Sequence, residues 1–128
     1  MPVIVAALWP KASVTLVEQP ELHVHPALQV GLGDLFIESI ARGGPQRMLL
    51  IETHSEHLML RLLRRVRETT EKELPEDAPA FSADKLSVLY VEKSPKGVHI
   101  QRLHVDSAGE FQDRWPKGFF AERMRELL

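Results

Sequence analysis

Two short polar segments carry the residues whose chemistry could define a site, and each directly follows an apolar run. Glu18 and Gln19 follow the run 14–17, and the cluster 52–57 follows the run 48–51. Carboxylates, amides and imidazoles in such positions can hold a cation, orient a water molecule or contact a phosphate. Their joint chemistry depends on whether the two segments lie side by side.

The two apolar runs predict neighbouring strands of a parallel sheet. Each run has four residues rich in Val, Ile or Leu and is followed by a helical pattern, as is typical of parallel strands buried on both faces. In open sheets of this kind ligands bind at the carboxyl edge, and neighbouring strands lie ~5 Å apart. We therefore expect Glu18, Gln19 and His54 to be close enough to share one ligand.

A helix is predicted after each polar segment. Pro26 suits a first helical position, and apolar residues at three-to-four spacing predict a helix over 27–41. Thr53 and Glu56 have the spacing of a capping box, which predicts a second helix over 55–71. The charged residues of this second helix are expected to form a solvated, mainly basic face; they are Arg61, Arg64, Arg65, Arg67 and Glu68. Within it, Arg64 and Glu68 are placed for an i,i+4 pair.

The C-terminal part predicts an antiparallel hairpin. Its strands are 86–92 and 98–105, around the turn Ser94-Pro95-Lys96-Gly97. The alternation of apolar residues slips between Ile100 and Leu103, which predicts a bulge. Short helices are expected over 2–8 and 119–128. The predicted fold class is α/β, with a mostly parallel sheet, flanking helices and a C-terminal β-hairpin plus helix.

Composition limits the classes of function. A chain of 128 residues with 44% apolar content is long enough for one domain with its own core. A formal charge of -2 and a sequence pI near 6.3 give no electrostatic case for nucleic acid as a direct partner. The absence of cysteine excludes disulfides and thiolate metal sites. No run approaches the roughly 20 apolar residues of a membrane span, so we expect a soluble cytoplasmic protein.

Three segments carry a resemblance to a known family. The segment 16–26, LVEQPELHVHP, resembles the Walker B and D-loop segment of ABC-type ATPases, in the version typical of predicted bacterial ATPases related to the OLD and SMC/RecF groups. The segment 51–57, IETHSEH, resembles their switch-histidine segment. The tail from Leu103 onwards is similar to an uncharacterised C-terminal domain of one subgroup. The resemblance implies part of a P-loop NTPase sheet in 1–72, and a hairpin and helix of the same compact unit in 73–128.

The resemblance also implies roles for individual residues, with ATP and Mg²⁺ as cofactors. Glu18 would hold magnesium through water, and His54 would contact the γ-phosphate. Gln19 stands where the family has the carboxylate that polarises the attacking water; an amide can orient a water but does not accept its proton as a carboxylate does. Glu21, or a residue from a partner, is the candidate for the missing base. The D-loop residues at the interface with an opposite head would be Leu22, His23 and His25.

The phosphate loop of this family is not in the sequence. No Gly-x-x-x-x-Gly-Lys-Ser/Thr occurs in the 128 residues, so the backbone cradle and lysine that hold the β- and γ-phosphates are missing. The resemblance therefore implies the C-terminal lobe of a larger ATPase, inactive until an upstream or separate phosphate-loop lobe completes it. The same resemblance implies a head-to-tail dimer of heads, no membrane partner and, by family analogy, a DNA-linked complex.

Three other interpretations remain open from the sequence. His23, His25 and His54, with Glu18 or Glu21, could form the nitrogen and oxygen shell of a zinc hydrolase. Gln19 and the missing phosphate loop would also fit a noncatalytic module that regulates a separate ATPase. Finally, the acids at the strand ends could simply accept hydrogen bonds from helix N-termini.

Overall fold

Four strands and two α-helices make up the part of the chain that the structure, a computed structural model, describes, which is residues 13–114. The helices predicted over 2–8 and 119–128 lie outside these residues. In chain order the elements are β1 (Val14–Glu18), α1 (Pro26–Gly43), β2 (Met48–Glu52), α2 (Glu56–Glu71), a short 3-10 helix (Ala83–Lys85), β3 (Val88–Ser94) and β4 (Gly97–Leu103).

Strands β1 and β2 pair in parallel, as predicted. Their register places Val14 opposite Met48 and Glu18 opposite Glu52. The chain crosses from one strand to the next through α1, which packs on α2. Because the strands are parallel, both polar segments leave the sheet at the same edge.

The two faces of this small sheet differ sharply in exposure. Val17 on one face is buried in the core with Phe36 of α1 and Val66 of α2. On the other face Leu16 is 73% exposed and Leu50 is 57% exposed. Parallel strands are normally covered on both faces. Within residues 13–114, only one face of the sheet is covered.

Helix α1 begins with the signal read in the sequence and ends two residues later than predicted. Pro26 is the first helical residue, and the preceding His25 caps the helix because its Nδ1 accepts a hydrogen bond from the Ala27 N–H at 3.2 Å. The helix runs to Gly43, slightly beyond the predicted end, and Gly44 follows with a φ of +75°. The cap orients His25, one of the predicted interface residues.

The predicted capping box of α2 is wrong, although the helix itself is present. Ser55 is the N-cap, and its hydroxyl accepts a hydrogen bond from the Leu58 N–H at 3.1 Å. Glu56 is the first residue of the helix, so it lies two positions too early to reach back to the cap. Thr53 lies outside the helix, where its hydroxyl accepts from the Ser55 N–H at 3.0 Å. The cap is therefore two residues later than the predicted one.

The basic face of α2 is not fully solvated, which corrects the sequence prediction. The side chain of Arg65 is only 9% exposed; its Nε lies 2.8 Å from Asp34 Oδ1 of α1, and its Nη1 lies 2.5 Å from Glu68 Oε2. The predicted pair of Arg64 with Glu68 is present at 2.6 Å. The helices come close enough for these contacts because Gly33 faces α2, where an added Cβ would lie 2.9 Å from Arg61 Cγ. Arg65 therefore ties the two helices together.

The ion-pair network shifts the ionisation of its members. Burial of Glu68 opposes its negative charge, but the hydrogen bonds from Arg64 and Arg65 outweigh burial and lower the pKa of this carboxyl. The hydrogen bond to Asp34 raises the pKa of Arg65, although burial opposes it. Both groups are therefore held in their charged forms.

The hairpin forms as predicted but without the bulge. Pairing between β3 and β4 is continuous from Val88 opposite Leu103 to Ser94 opposite Gly97. Ile100 is exposed and Leu103 is buried, because residues three apart point to opposite faces of a strand. A bulge would have placed Ile100 and Leu103 on the same face of the strand. Because they lie on opposite faces, the regular strand needs no extra residue.

The segment after β4 fastens the hairpin to α2. Gly109 has a φ of +71° and packs so tightly that an added Cβ would lie 2.1 Å from the carbonyl oxygen of Leu63. The hydroxyl of Thr70 donates to the carbonyl of Ser107 at 2.6 Å. These contacts hold the segment after the hairpin on α2. None of the helices within residues 13–114 is long and apolar enough to cross a membrane.

Candidate functional site

The carboxyl edge of the parallel sheet brings the two polar segments together. Glu18 and Glu52 end their strands directly opposite one another, and both are exposed. The ladder continues one step further, since the N–H of Gln19 donates to the carbonyl of Glu52 at 2.8 Å. Gln19 takes a left-handed conformation, with a φ of +44°, which turns the chain away from the sheet. The exposed acids and Gln19 therefore share one edge.

The chain between β1 and α1 forms a tight polar loop, residues 19–25, called here the interface loop. Its turns are closed by hydrogen bonds from the Leu22 N–H to the Gln19 carbonyl at 3.1 Å and from the Val24 N–H to the Glu21 carbonyl at 2.9 Å. His23 has a φ of +61°. The residues expected to contact an opposite head are all exposed here; they are Leu22, His23 and His25.

Glu21 joins this loop to the segment after β2, residues 53–55, called here the switch segment. Its Oε2 accepts a hydrogen bond from the Thr53 hydroxyl at 2.8 Å. Its Oε1 accepts one from the backbone N–H of His54 at 2.7 Å. Both carboxylate oxygens are therefore occupied by contacts within the fold.

A second link runs from the switch segment to α1. The hydroxyl of Ser55 donates to Gln29 Oε1 at 2.5 Å, and Gln29 Nε2 donates to the carbonyl of Val24 at 3.0 Å. Sequence reasoning did not find Gln29, which falls at an unremarkable position in an amphipathic helix. Its partner Ser55 lies 26 residues away, a separation that no local pattern reports. The two links make the interface loop and the switch segment one hydrogen-bonded unit.

The described residues do not assemble the zinc shell that the sequence left open. Within residues 13–114, no group of three or more His, Asp or Glu side chains is arranged to hold a metal ion. His25 uses Nδ1 to cap α1, and Glu21 uses both oxygens on the switch segment. The geometry thus gives no support to a metal site built from His23, His25 and His54.

The carboxyl edge of the parallel sheet instead carries polar side chains with oxygen and imidazole groups, on a backbone held by hydrogen bonds. Glu18 can bind a hydrated cation, and Gln19 can donate to or accept from a water molecule. His54 is exposed at the start of the switch segment, while its backbone is held by Glu21. The groups named by the resemblance therefore lie on adjoining segments at one edge. Their individual roles stay predictions.

Two protein families match separate parts of the chain. Residues 3–60 match the family described as "AAA domain, putative AbiEii toxin, Type IV TA system". Residues 82–128 match the family described as "Protein of unknown function (DUF3696)". No curated protein and no solved structure matches the chain.

The first match covers β1, the interface loop, α1, β2 and the switch segment, which together form the candidate site. This part of the chain is therefore related to AAA-type ATPases, a class that depends in general on a nucleotide and magnesium. The α/β fold, with its short parallel sheet, two helices and antiparallel hairpin, is consistent with part of an NTPase fold. The division of the chain at residue 72 stays a prediction.

Proposed function

We propose that this chain supplies the magnesium and γ-phosphate half of the nucleotide site in an ABC-type ATPase head of the OLD and SMC/RecF kind. The observation that carries the proposal is the parallel register, which brings the end of β1 and the switch segment to one edge. In this site Glu18 takes magnesium through water, and His54 contacts the γ-phosphate. The match of residues 3–60 to an AAA domain supports the same class.

The structure bears on which residue handles the attacking water. Glu21 was the candidate base within the chain, but each of its oxygens accepts a hydrogen bond from the switch segment. A carboxylate engaged in this way is poorly placed to take a proton from water. We assign Gln19 to orient the water, and the proton acceptor to a residue of the opposite head.

The open face of the parallel sheet indicates where the rest of the head packs. Leu16 and Leu50 lie on this face, side by side in the register and more than half exposed. We propose that a lobe carrying the phosphate loop covers them, upstream or as a separate chain. The exposed interface loop then faces a second head in a head-to-tail dimer, and the assembly works in the cytoplasm.

A native mass spectrum of the purified chain tests the proposal against the zinc alternative. The sample is incubated with excess zinc in one arm and with Mg-ATP in the other. We expect no stoichiometric zinc, because the described histidines do not converge on a metal site, and no retained nucleotide, because the 128 residues contain no phosphate-loop motif. One zinc ion bound per chain, lost in His23→Ala and His54→Ala, would overturn the ATPase proposal.

A second candidate function is the noncatalytic module that regulates a separate ATPase. Gln19 replaces the usual carboxylate, and Glu21 is engaged elsewhere. In an assembled head, Gln19→Glu separates the two candidates. A large gain in turnover indicates that the natural head holds ATP rather than hydrolyses it, whereas a loss indicates that Gln19 already serves hydrolysis.

A further inference from the structure

The strongest unassigned feature of the molecule is the way Glu21 is held. Its two oxygens bind two different groups of the switch segment, the Thr53 hydroxyl at 2.8 Å and the His54 N–H at 2.7 Å. The hydroxyl of Thr53 is itself oriented, because it also accepts from the Ser55 N–H at 3.0 Å. Hydrogen bonds to an ionised carboxylate are the stronger kind, and two of them fix its orientation.

The backbone of the interface loop has a strained conformation that contacts such as those of Glu21 must hold in place. Gln19 and His23 both have positive φ angles, +44° and +61°, although neither is glycine. Residues with side chains adopt this conformation in a loop only when the surroundings hold them there. Glu21 lies between them and makes the direct side-chain contact with the switch segment. Glu21 therefore contributes to the shape of the loop and contacts the backbone of His54 directly, whereas the link through Gln29 reaches Ser55.

We infer that Glu21 is a positioning residue that couples the interface loop to His54. A displacement at the exposed residues His23 or His25 is transmitted through Glu21 to the backbone of His54, and the reverse holds equally. The functional meaning of this coupling rests on the proposed function, in which the loop faces a second head and His54 contacts the γ-phosphate. Contact with a second head would then adjust the residue that senses the nucleotide.

Exchange of the His54 amide proton with solvent, measured by NMR on the 15N-labelled chain, tests the contact without nucleotide. We expect Glu21→Ala to speed this exchange roughly tenfold or more, because the N–H loses a charged acceptor. Glu21→Gln should preserve most of the protection, since its amide oxygen can accept from His54 while its NH2 donates to Thr53. Glu18→Ala is the matched control and should leave the rate within about twofold.

The amide of Val66, in the buried core, serves as the internal reference for stability in each variant. The contact is supported only if His54 exchange changes relative to Val66. If Glu21→Ala leaves His54 exchange unchanged relative to that reference, the positioning role is refuted.

The coupling itself is tested by a second substitution in the loop. His23→Gly removes the steric constraint at a positive φ and should shift the His54 amide resonance in the natural chain. In a Glu21→Ala background the same substitution should leave that resonance unchanged. A shift that persists without Glu21 would overturn the inference. These outcomes do not depend on ATP, so they are independent of the zinc and nucleotide measurements that test the proposed function.

Discussion

Glu18 and Glu52 end neighbouring parallel strands directly opposite one another, and both are exposed. Two like charges in this relationship repel, at a cost of a few tenths of a kcal/mol. A fold accepts such a pair readily where a cation or a basic partner offsets the charge. The pairing therefore does not stabilise the fold by itself, and it is compatible with the cation site proposed at this edge.

The repulsion between these two carboxylates is measurable. Glu52→Gln should raise the free energy of unfolding by about 0.5 kcal/mol at low ionic strength. The gain should shrink near 1 M salt, where charges separated by more than ~3 Å are screened. Denaturant unfolding at both salt concentrations measures the effect. Glu76→Gln, in an exposed loop, should show no such salt-dependent gain; a destabilised Glu52→Gln would contradict the prediction.

Arg65 should be the most costly charged residue to remove. Arg65→Ala leaves Glu68 buried without its closest partner and also releases Asp34, so we expect a loss of about 3 kcal/mol in the free energy of unfolding. Arg64→Ala is the control, because its side chain is 59% exposed and its pair with Glu68 should contribute less than about 1 kcal/mol. If both variants lose the same free energy of unfolding, burial does not make the Arg65–Glu68 pair stronger than the Arg64–Glu68 pair.

Stability should fall in acid through Glu68. Hydrogen bonds from Arg64 and Arg65, acting against burial, hold the pKa of this carboxyl below its ordinary value of 4.5. A lowered pKa in the folded state adds stability above the ordinary value, and that stability is lost as the pH falls through the folded pKa. Urea unfolding from pH 6 to pH 3 should therefore show a steeper loss in the natural chain than in Glu68→Gln. Parallel curves would contradict the assignment.

Gly109 should be more costly to replace than Gly44. Both have positive φ angles near 70°, but only at Gly109 would a Cβ meet backbone, 2.1 Å from the Leu63 carbonyl oxygen. Gly44→Ala should cost about 2 kcal/mol for its conformation alone, because its ψ of -175° places it in a region that residues with a Cβ rarely adopt. Gly109→Ala should cost at least about 3 kcal/mol, because the hairpin segment must also move off α2. Similar thermal midpoints for the two variants would rule out the close contact.

Local patterns predicted the features that depend on neighbours in sequence. The parallel strands follow from their apolar runs, Pro26 marks the start of α1, and the pair of Arg64 with Glu68 follows from helical spacing. The capping box and the bulge were errors in local patterns, whereas the solvated basic face of α2 was an error about packing between distant elements. Arg65 is buried because Asp34 of another helix pairs with it, 31 residues away.

The candidate site also has features that the sequence could predict and contacts that it could not. Its strand ends could be placed from the sequence, because parallel strands must share an edge. The role of Glu21 could not, since its partners lie 32 and 33 residues further along the chain and depend on how two loops meet. The sequence suggested a base at Glu21 without indicating that both of its oxygens accept hydrogen bonds from the switch segment.

The central claim is that this chain supplies the magnesium and γ-phosphate half of a nucleotide site. The affinity for a nonhydrolysable ATP analogue, with magnesium, tests this claim most directly. It is measured for a phosphate-loop lobe from an AAA-domain relative, alone and with this chain bound to it. We predict that the chain tightens binding at least roughly tenfold, the value of one good polar contact. Glu18→Ala and His54→Ala should each abolish the gain, while His99→Ala on the hairpin should retain it. If the chain binds the lobe and the affinity is unchanged, or if the gain survives both substitutions, the claim is contradicted.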